Sequence, residues 1–329
     1  MNPARNSAIG SRLADRLVAI SISEADDTAR LGFPPDQLDR VLEAVLTPLV
    51  SDGARIAYGG RIEIPQGMRR NYTLEIVSVL GEAYRRLDVE PGLRPFAHFI
   101  AQHRFVQRTE PAKVLNHLRA LAPYGEAWLM DSERVAFIAA YIGDDMGRPR
   151  FVLKPHPAAD IDGPERETFS SASELCATHA YRLLGTNVSH PALSFERMRD
   201  AMTRMCDARI VVGGRFSGFA GEMSGLTQEA LFSLQQRKPV AVLGGFGGSA
   251  RDIAIALGLL AVDERVPRSE HDDADRYESG LAELGRNREA FEQVAGGDLP
   301  LLKRLATEDS VVDATSLLIR YLLLRFRAQ

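Results

Sequence analysis

The sequence predicts an α/β fold, and three observations lead to this prediction. Short apolar runs that suit buried strands alternate with amphipathic stretches of helical length, which is typical of parallel strand–helix–strand units. Two apolar runs, Ile210–Val212 and Val240–Leu243, end in paired glycines, and a helical pattern follows each of them, after a further loop in the first case and directly in the second. The 329 residues are enough to bury a large core. Because such crossovers are right-handed, we expect a doubly wound, Rossmann-like, mostly parallel sheet with a helical C-terminal appendage.

The first half of the chain supplies three strands and two helices of this pattern. Residues 1–15 are polar and small, which predicts a flexible N-terminus. Pro34-Pro35 opens the first helix, in keeping with the place of proline in a first turn. The predicted strands and helices are, in order, Leu17–Ile22, Asp36–Ser51, Ala54–Tyr58, Thr73–Leu87 and Arg94–Ile100.

The middle of the chain is less regular. Pro111–Leu121 is helical in pattern, and Val135–Tyr141 is apolar without a period that distinguishes strand from helix. Asp144–Glu167 is rich in glycine, proline and aspartate, which predicts a loop or an insertion. Amphipathic helices are predicted at Thr168–Leu184 and Ser194–Met205.

After Leu260 the sequence becomes charged, and helical patterns separated by Gly296-Gly297 and Pro300 predict the appendage. We therefore divide the chain into a flexible N-terminus (1–15), a sheet domain that binds a ligand (16–262) and a helical C-terminal extension (263–329). We expect the extension to pack on the sheet or on a second copy of the chain.

Composition and charge narrow the class of protein. A net charge of −4 without a lysine and arginine stripe argues against a nucleic-acid partner. The two cysteines offer no disulfide framework, which favours a location of the protein in the reducing cytoplasm. No apolar run approaches the ~20 residues that span a bilayer. The seven histidines lack zinc spacing, so no metal is expected. Neither a P-loop nor a serine nucleophile elbow is present.

Three glycine loops mark the candidate binding site. They are Gly59-Gly60-Arg61, Gly213-Gly214-Arg215 and Gly244–Gly248, and each follows a predicted strand. Open α/β sheets bind ligands at the carboxyl ends of their strands, and a following helix directs free N–H groups to the same place. We expect the loops to converge on a phosphate or a ribose. The alternative is a set of ordinary turns between strand and helix.

Charged side chains beside these loops are candidates for ligand contacts. Arg61 and Arg215 each follow a glycine pair, where a guanidinium group can bind a phosphate with two parallel hydrogen bonds or form a salt bridge within the loop. Glu229 follows Gly225 at the start of a predicted helix. Its carboxylate can interact with the helix dipole, accept hydrogen bonds from ribose hydroxyls, or act as the general base of a catalytic reaction.

Aromatic and hydroxyl side chains complete the candidate set. Phe219 and Phe246 flank glycine loops, where a ring can stack on a base or fill the space between loop and sheet. Ser21 and Ser23 end the first strand, where they can bind ribose or cap the next helix.

Four segments together resemble the SLOG superfamily. This Rossmann-like group includes the LOG phosphoribohydrolases, the DNA-processing Smf/DprA proteins and the N-terminal sensor regions of TRPM channels. The segments are AISISEADDTARLG (19–32), GARIAYGGR (53–61), the unit strand–GGRFSGFAG–helix (209–237) and KPVAVLGGFGG (238–248). They are most similar to the prokaryotic TRPM-like SLOG branch, which is often found beside TIR and other defence effectors.

The resemblance implies a ligand and a set of walls around it. In that superfamily the glycine loops surround a nucleotide-derived ligand, typically ADP-ribose or a cyclic relative in the sensor branches. The implied walls are Gly59, Gly60 and Arg61; Gly213, Gly214 and Arg215; and Gly244, Gly245, Phe246 and Gly247, with Ser21 and Ser23 facing the same cleft.

The LOG enzymes carry a Pro-Gly-Gly-x-Gly-Thr-x-x-Glu signature that this chain matches in part. Val212 replaces the proline, Leu226 replaces the threonine, and residues 215–224 lengthen the loop. No match to the arginine-lysine helix that those enzymes use with the glutamate is found. These departures argue against hydrolysis of a glycosidic bond. The matching positions are Gly213, Gly214, Gly225 and Glu229.

Three hypotheses follow. The first is a cytoplasmic sensor that needs no cofactor and binds ADP-ribose, cyclic ADP-ribose or a related NAD product. We expect this sensor to act in antiviral defence, either as a homo-oligomer or through an effector partner of TIR type. The second is an enzyme that cleaves the N-glycosidic bond of a nucleotide with Glu229 as the base. The third is a single-stranded DNA binder of the Smf/DprA type, which the acidic balance disfavours.

Overall fold

A long sheet forms the centre of the fold. The computed structural model describes residues 12–14, 16–61, 70–87, 95–101, 117, 120–121, 124–130, 135–142, 149–155, 167–169, 191–268 and 270–327. Within these residues the strands are β1 (Leu17–Ser23), β2 (Arg55–Gly59), β3 (Phe96–Ala101), β4 (Gly125–Met130), β5 (Val135–Ile142), β6 (Pro149–Pro155), β7 (Glu167–Phe169), β8 (Ala208–Gly213) and β9 (Val240–Leu243).

The sheet is mostly parallel, as the sequence predicts. Its strand order is β7-β6-β5-β4-β3-β2-β1-β8-β9. The six strands from β4 to β9 in this order are parallel, and β5, β6 and β7 add antiparallel pairs at one edge. Strands β3, β8 and β9 are buried along their whole length, which explains why their sequences are mostly apolar.

Helices cover both faces of this sheet, so the predicted doubly wound, Rossmann-like layout with C-terminal helices is confirmed. Successive residues of β1 alternate between two clusters: Val18, Ile20 and Ile22 face α1 and α2, and Leu17 and Ala19 face α3. The described helices are α1 (Gln37–Ser51), α2 (Tyr72–Leu87), α3 (Pro191–Met205), α4 (Gly225–Gln235), α5 (Gly248–Ala256), α6 (Ala274–Arg286), α7 (Arg288–Ala295), α8 (Leu299–Thr307) and α9 (Val311–Arg327).

The antiparallel edge corrects one prediction. The stretch Asp144–Glu167 contains strand β6, although its glycine, proline and aspartate content predicted a loop or an insertion. Strand β6 pairs with β5 from Ile142 opposite Pro149 to Ala136 opposite Pro155, so prolines stand only at its two ends. The undecided run Val135–Tyr141 forms most of β5.

Two predicted helices fall largely on residues that are not described. Most of Pro111–Leu121 and all but the start of Thr168–Leu184 lie outside the described residues, and Thr168–Phe169 belongs to strand β7. The boundaries of the three predicted regions at 15–16 and 262–263 stay predictions.

The C-terminal helices pack on the sheet domain. Buried side chains of α6 to α9, among them Tyr277, Leu302 and Leu318, belong to the same apolar cluster as β8 and β9. Helix α8 packs on β9, and α9 packs on α1. Among the described helices, none combines the length and the apolar character that crossing a membrane requires.

Candidate functional site

A cleft of about 190 Å³ opens at the carboxyl ends of β1, β2 and β8. Parallel α/β sheets bind ligands at this edge because the loops that leave neighbouring strands meet there. Segments from the β1–α1 loop, the β2–α2 loop, α3 and the β8–α4 loop contribute to it. The lining residues include Ser21, Ser23, Glu24, Tyr58, Gly59, Gly60, Arg61, Arg70, Phe195, Arg199, Arg215, Phe219, Gly225 and Glu229.

The cleft unites most of the residues that the sequence marks as ligand contacts. Two of the three predicted glycine loops contribute to it, and the third does not. The predicted residues that line it are Ser21, Ser23, Gly59, Gly60, Arg61, Arg215, Phe219, Gly225 and Glu229. Their contact with a ligand stays a prediction. The predicted residues outside the lining are Gly213, Gly214, Gly244, Gly245, Phe246 and Gly247.

Gly213 and Gly214 support the cleft from behind. Both have positive φ, 64° and 101°, which glycine adopts without strain. A Cβ atom on Gly213 would lie 2.6 Å from the carbonyl oxygen of Ser23, and one on Gly214 would overlap the Ser249 hydroxyl. The two glycines therefore let the loops after β1 and β8 pack against the start of α5.

The third glycine loop is covered by the chain itself, contrary to the expectation of a third wall. Gly244–Phe246 forms a 3₁₀ turn, and a Cβ atom on Gly245 would overlap the main chain of Glu308. Phe246 is fully buried, with its ring centroid 6.0 Å from that of Phe33. Phe246 therefore fills the space beside the sheet and is not available to stack on a ligand.

A carboxylate of the protein occupies the start of the helix behind this loop. The side-chain Oδ1 of Asp27 accepts a hydrogen bond of 2.7 Å from the N–H of Gly248, at the first position of α5. Burial raises the pKa of the Asp27 carboxyl above its usual value, and this hydrogen bond opposes that shift. The helix terminus that the sequence offered to a phosphate is thus capped by Asp27.

The cleft carries excess positive charge. Its described lining includes the guanidinium groups of Arg61, Arg70, Arg199 and Arg215 and the carboxylates of Glu24 and Glu229. Arg70 pairs with Asp39 and donates to the Pro35 carbonyl oxygen at 3.2 Å. Charge of this sign at a concave site attracts an anionic ligand.

Arg215 has no carboxylate partner among the described residues. Its Nε atom is buried, and within that part of the chain no acceptor takes a hydrogen bond from it. A loop salt bridge, the alternative role that the sequence left open for Arg215, is not formed there. The guanidinium group is therefore a donor that a bound anion can satisfy.

Glu229 lies one turn inside α4, so it does not cap that helix. Its Oε2 atom accepts hydrogen bonds from the Ser21 hydroxyl and, at 2.8 Å, from Nη1 of Arg209. Its other oxygen, Oε1, lies 3.6 Å from Nε of Arg199 and completes a second ion pair. Glu229 is only 6% exposed but lines the cleft. The carboxylate is thus fixed on one side and open to a ligand on the other.

Sequence reasoning missed Arg199. This arginine extends from α3, stacks over the Phe195 ring at 5.4 Å, and donates from Nη1 to Oε1 of Gln228 at 2.6 Å. Burial lowers the pKa of Arg199, and the Glu229 carboxylate opposes that shift. A Cβ atom on Gly225 would lie 2.7 Å from Nη2 of Arg199, so the glycine makes room for the guanidinium group.

A signal for Arg199 was present in the sequence. Phe195, Met198 and Met202 mark the buried side of α3, and Arg199 stands four residues after Phe195, next to that side. The LOG enzymes pair their glutamate with an arginine-lysine helix, and the structure places one arginine of a helix beside Glu229 although the sequence motif is not matched.

The loop between β8 and α4 is bound to the C-terminal helices. The N–H of Gly218 donates to Oδ2 of Asp273 at 2.6 Å, and Nη1 of Arg276 donates to the carbonyl oxygen of Gly221 at 2.8 Å. The Arg276 guanidinium group also lies 4.9 Å from the centroid of the Phe219 ring. Phe219 lines the cleft, so these contacts connect the ligand side of the loop to α6.

The phenol of Tyr58, which lines the cleft, is held in its neutral form. Burial raises the pKa of the Tyr58 phenol, and the nearby Glu229 carboxylate raises it further. In the part of the chain that is described, no three histidine, cysteine, aspartate or glutamate side chains are grouped to hold a metal ion. The described lining of the site offers arginines, two carboxylates, hydroxyl groups and main-chain amides.

Comparison with known proteins gives the family. The family model described as SLOG cluster2 matches residues 12–123 and 177–293, which is more than half of the chain. No curated protein and no solved structure matches the chain. The matched segments contain the residues of the cleft, and membership of this group indicates a nucleotide-related function. The chain belongs to the SLOG superfamily.

Proposed function

We propose that the cleft binds a nucleotide-derived ligand through its phosphate and its ribose. The observation that carries this proposal is the convergence of Arg61, Arg199 and Arg215 with Glu229 at the carboxyl edge of the sheet. Arginines bind phosphate oxygens with paired hydrogen bonds, and a carboxylate accepts hydrogen bonds from ribose hydroxyls. A ligand that carries both groups satisfies both parts of the cleft.

Each part of the ligand has a natural location. Arg61 and Arg215 stand at the starts of the loops that leave β2 and β8, on either side of β1, and are proposed to hold the phosphate. Glu229 offers Oε1 to the ribose hydroxyls. The rings of Tyr58 and Phe219 belong to the lining and offer aromatic faces to a base.

We propose further that the protein is a sensor. The loop that carries Arg215 and Phe219 is joined to α6 by Asp273 and Arg276, so a ligand that favours one position of this loop also favours one position of the C-terminal helices. Such a shift cannot exceed the ligand's preference for one state over the other. Other parts of this proposal rest on the resemblance. They are the identity of the ligand as ADP-ribose, cyclic ADP-ribose or a related NAD product, the assignment to the TRPM-like branch, and a role in antiviral defence as a homo-oligomer or with an effector partner.

Calorimetric titration tests the binding proposal. The wild-type protein should bind at least one of ADP-ribose, cyclic ADP-ribose, NAD and AMP, and Arg215→Ala should weaken that binding roughly tenfold or more, since a hydrogen bond to a charged group contributes about 1.5–3 kcal/mol. Arg204→Ala is the matched control, because Arg204 is an exposed arginine on α3 that does not line the cleft. Equal affinities of wild type and Arg215→Ala would remove Arg215 from the site.

One observation favours a second candidate function. Arg199 lies beside Glu229 much as the arginine-lysine helix of LOG enzymes accompanies their glutamate, and this favours hydrolysis of a nucleotide N-glycosidic bond. In that reaction water cleaves the bond and releases adenine and ribose 5-phosphate from AMP, or nicotinamide and ADP-ribose from NAD. Chromatography after long incubation with AMP or NAD separates the two functions. Release of base by wild type and its loss in Glu229→Gln would establish the enzyme, and intact ligand would support the sensor.

A further inference from the structure

Arg209 is an unusual residue for its position. It lies in β8, where every other residue is apolar or glycine, and only 1% of its surface is exposed. Burying a guanidinium group is costly unless hydrogen bonds and an opposite charge compensate it. A residue of this kind in the middle of a sheet calls for a specific role.

Arg209 donates hydrogen bonds to two residues of the cleft and to two residues of the helices beside it. Nη1 donates to the Ser21 hydroxyl and to Oε2 of Glu229, both at 2.8 Å. Nε donates to Ser233 at 2.7 Å and Nη2 donates to Thr203 at 2.8 Å. Strand alternation places Arg209 on the same side of the sheet as Ser21, because Ala19 is its partner in β1.

These bonds join three of the elements that supply the cleft. Ser21 lies in β1, Glu229 and Ser233 lie on α4, and Thr203 lies on α3. Thr203 in turn donates to the carbonyl oxygen of Arg199 at 2.7 Å, so the arginine of α3 is connected to the same network.

The network leaves Glu229 with one oxygen for a ligand. Oε2 accepts hydrogen bonds from both Ser21 and Arg209, whereas Oε1 has, within the part of the chain that the structure describes, only the 3.6 Å contact with Nε of Arg199. Free rotation of the carboxylate would exchange the two oxygens, and Arg209 opposes that rotation by binding one of them.

We infer that Arg209 is a positioning residue that fixes the Glu229 carboxylate, so that Oε1 is presented to the ribose hydroxyls of the ligand. This inference rests on the proposed binding function. Arg209 itself does not line the cleft and acts through Glu229.

Discrimination between AMP and 2′,3′-dideoxy-AMP reports on this role. Wild type should bind AMP at least roughly tenfold more tightly than the dideoxy compound, because the dideoxy compound lacks the ribose hydroxyls that donate hydrogen bonds to the Glu229 carboxylate. In Arg209→Met the ratio of the two affinities, AMP over dideoxy-AMP, should fall toward one. The affinity for dideoxy-AMP itself should stay within about threefold of wild type, because Arg209 does not itself line the cleft. The control is Arg204→Met, which replaces an exposed arginine on α3 and should leave the ratio unchanged.

A double-mutant cycle separates positioning from a general structural role. If Arg209 acts through Glu229, Arg209→Met should add no further loss to Glu229→Ala, whereas losses that add fully would overturn the inference. If Arg209→Met does not fold, Ser233→Ala removes one bond of the guanidinium group outside the cleft. The ratio should then fall below the wild-type value, and an unchanged ratio would contradict the inference.

The test also distinguishes the two levels of the proposal. Absence of binding of AMP, ADP-ribose, cyclic ADP-ribose and NAD by wild type would overturn the binding function, and the inference with it. Normal discrimination by wild type that persists in Arg209→Met would overturn the inference alone.

Discussion

A buried histidine pair beneath the first glycine loop should make the protein lose stability as the pH falls. His98 and His117 contact each other through Nδ1 and Nε2 at 2.9 Å, and Nε2 of His98 lies 3.3 Å from the Thr73 hydroxyl. That hydroxyl donates to the carbonyl oxygen of Arg61 at 3.1 Å. Protonation of either histidine would therefore place a charge in the core directly under a wall of the cleft.

The magnitude follows from the shifted pKa of His117. Burial lowers that pKa from 6.5 to about 4, and burial together with His117 lowers the pKa of His98. An unfolded chain takes up the proton near pH 6.5 and the folded chain only near pH 4, so stability is complete above pH 6.5 and declines as the pH falls to about 4. At about 1.4 kcal/mol per unit, His117 alone accounts for about 3 kcal/mol.

Denaturant unfolding between pH 7 and pH 4.5 is the assay, and His117→Gln is the comparison. The raised pKa values of Asp27 and Asp39 act in the opposite direction, and the difference between wild type and variant cancels their contribution. Wild type should lose stability more steeply than His117→Gln over this range. Parallel curves would refute the reasoning, because they would show that His117 titrates normally in the folded state.

Three further predictions concern the cleft and its surroundings. Gly225→Ala should displace the Arg199 guanidinium group, because the added Cβ atom would lie 2.7 Å from Nη2. This variant should bind nucleotide more weakly in a calorimetric titration, and its melting temperature should be nearly that of wild type. Arg276→Ala should release the loop at Phe219 and increase proteolysis between residues 215 and 224; an unchanged cleavage rate would show that this contact does not hold the loop. Asp27→Ala should cost about 1 kcal/mol at pH 7 by leaving the N–H of Gly248 at the start of α5 without its acceptor, measured by denaturant unfolding, and an unchanged stability would show that this hydrogen bond does not stabilise the helix.

The sheet was predictable because its strands follow local rules. The apolar runs that end in Gly59 and Gly213 needed only the period of the sequence and the preference of turns for glycine. The same rules failed for β6, since proline at both ends of a short strand resembles a loop, and only pairing with β5 identifies it. Pairing partners depend on tertiary structure, which local patterns do not contain.

The cleft was predictable in part for a similar reason. Arg215 follows a glycine pair at a strand end and Glu229 follows a glycine at a helix start, where their role depends on local geometry. The covering of Gly245 by the main chain of Glu308 and the burial of Phe246 against Phe33 are long-range contacts that no local pattern reveals. Arg199 and Arg209 likewise gain their roles from residues far away in the chain, and a charged residue in the apolar run of β8 was the one visible sign of the network beneath the cleft.

A crystal structure of the protein soaked with ADP-ribose tests the central claim most directly. The account predicts that a phosphate of the ligand lies against Arg61 and Arg215 and that a ribose hydroxyl lies within hydrogen-bond distance of Oε1 of Glu229. Ligand bound at the loop Gly244–Gly248, or a cleft that stays without ligand at saturating concentration, would contradict it.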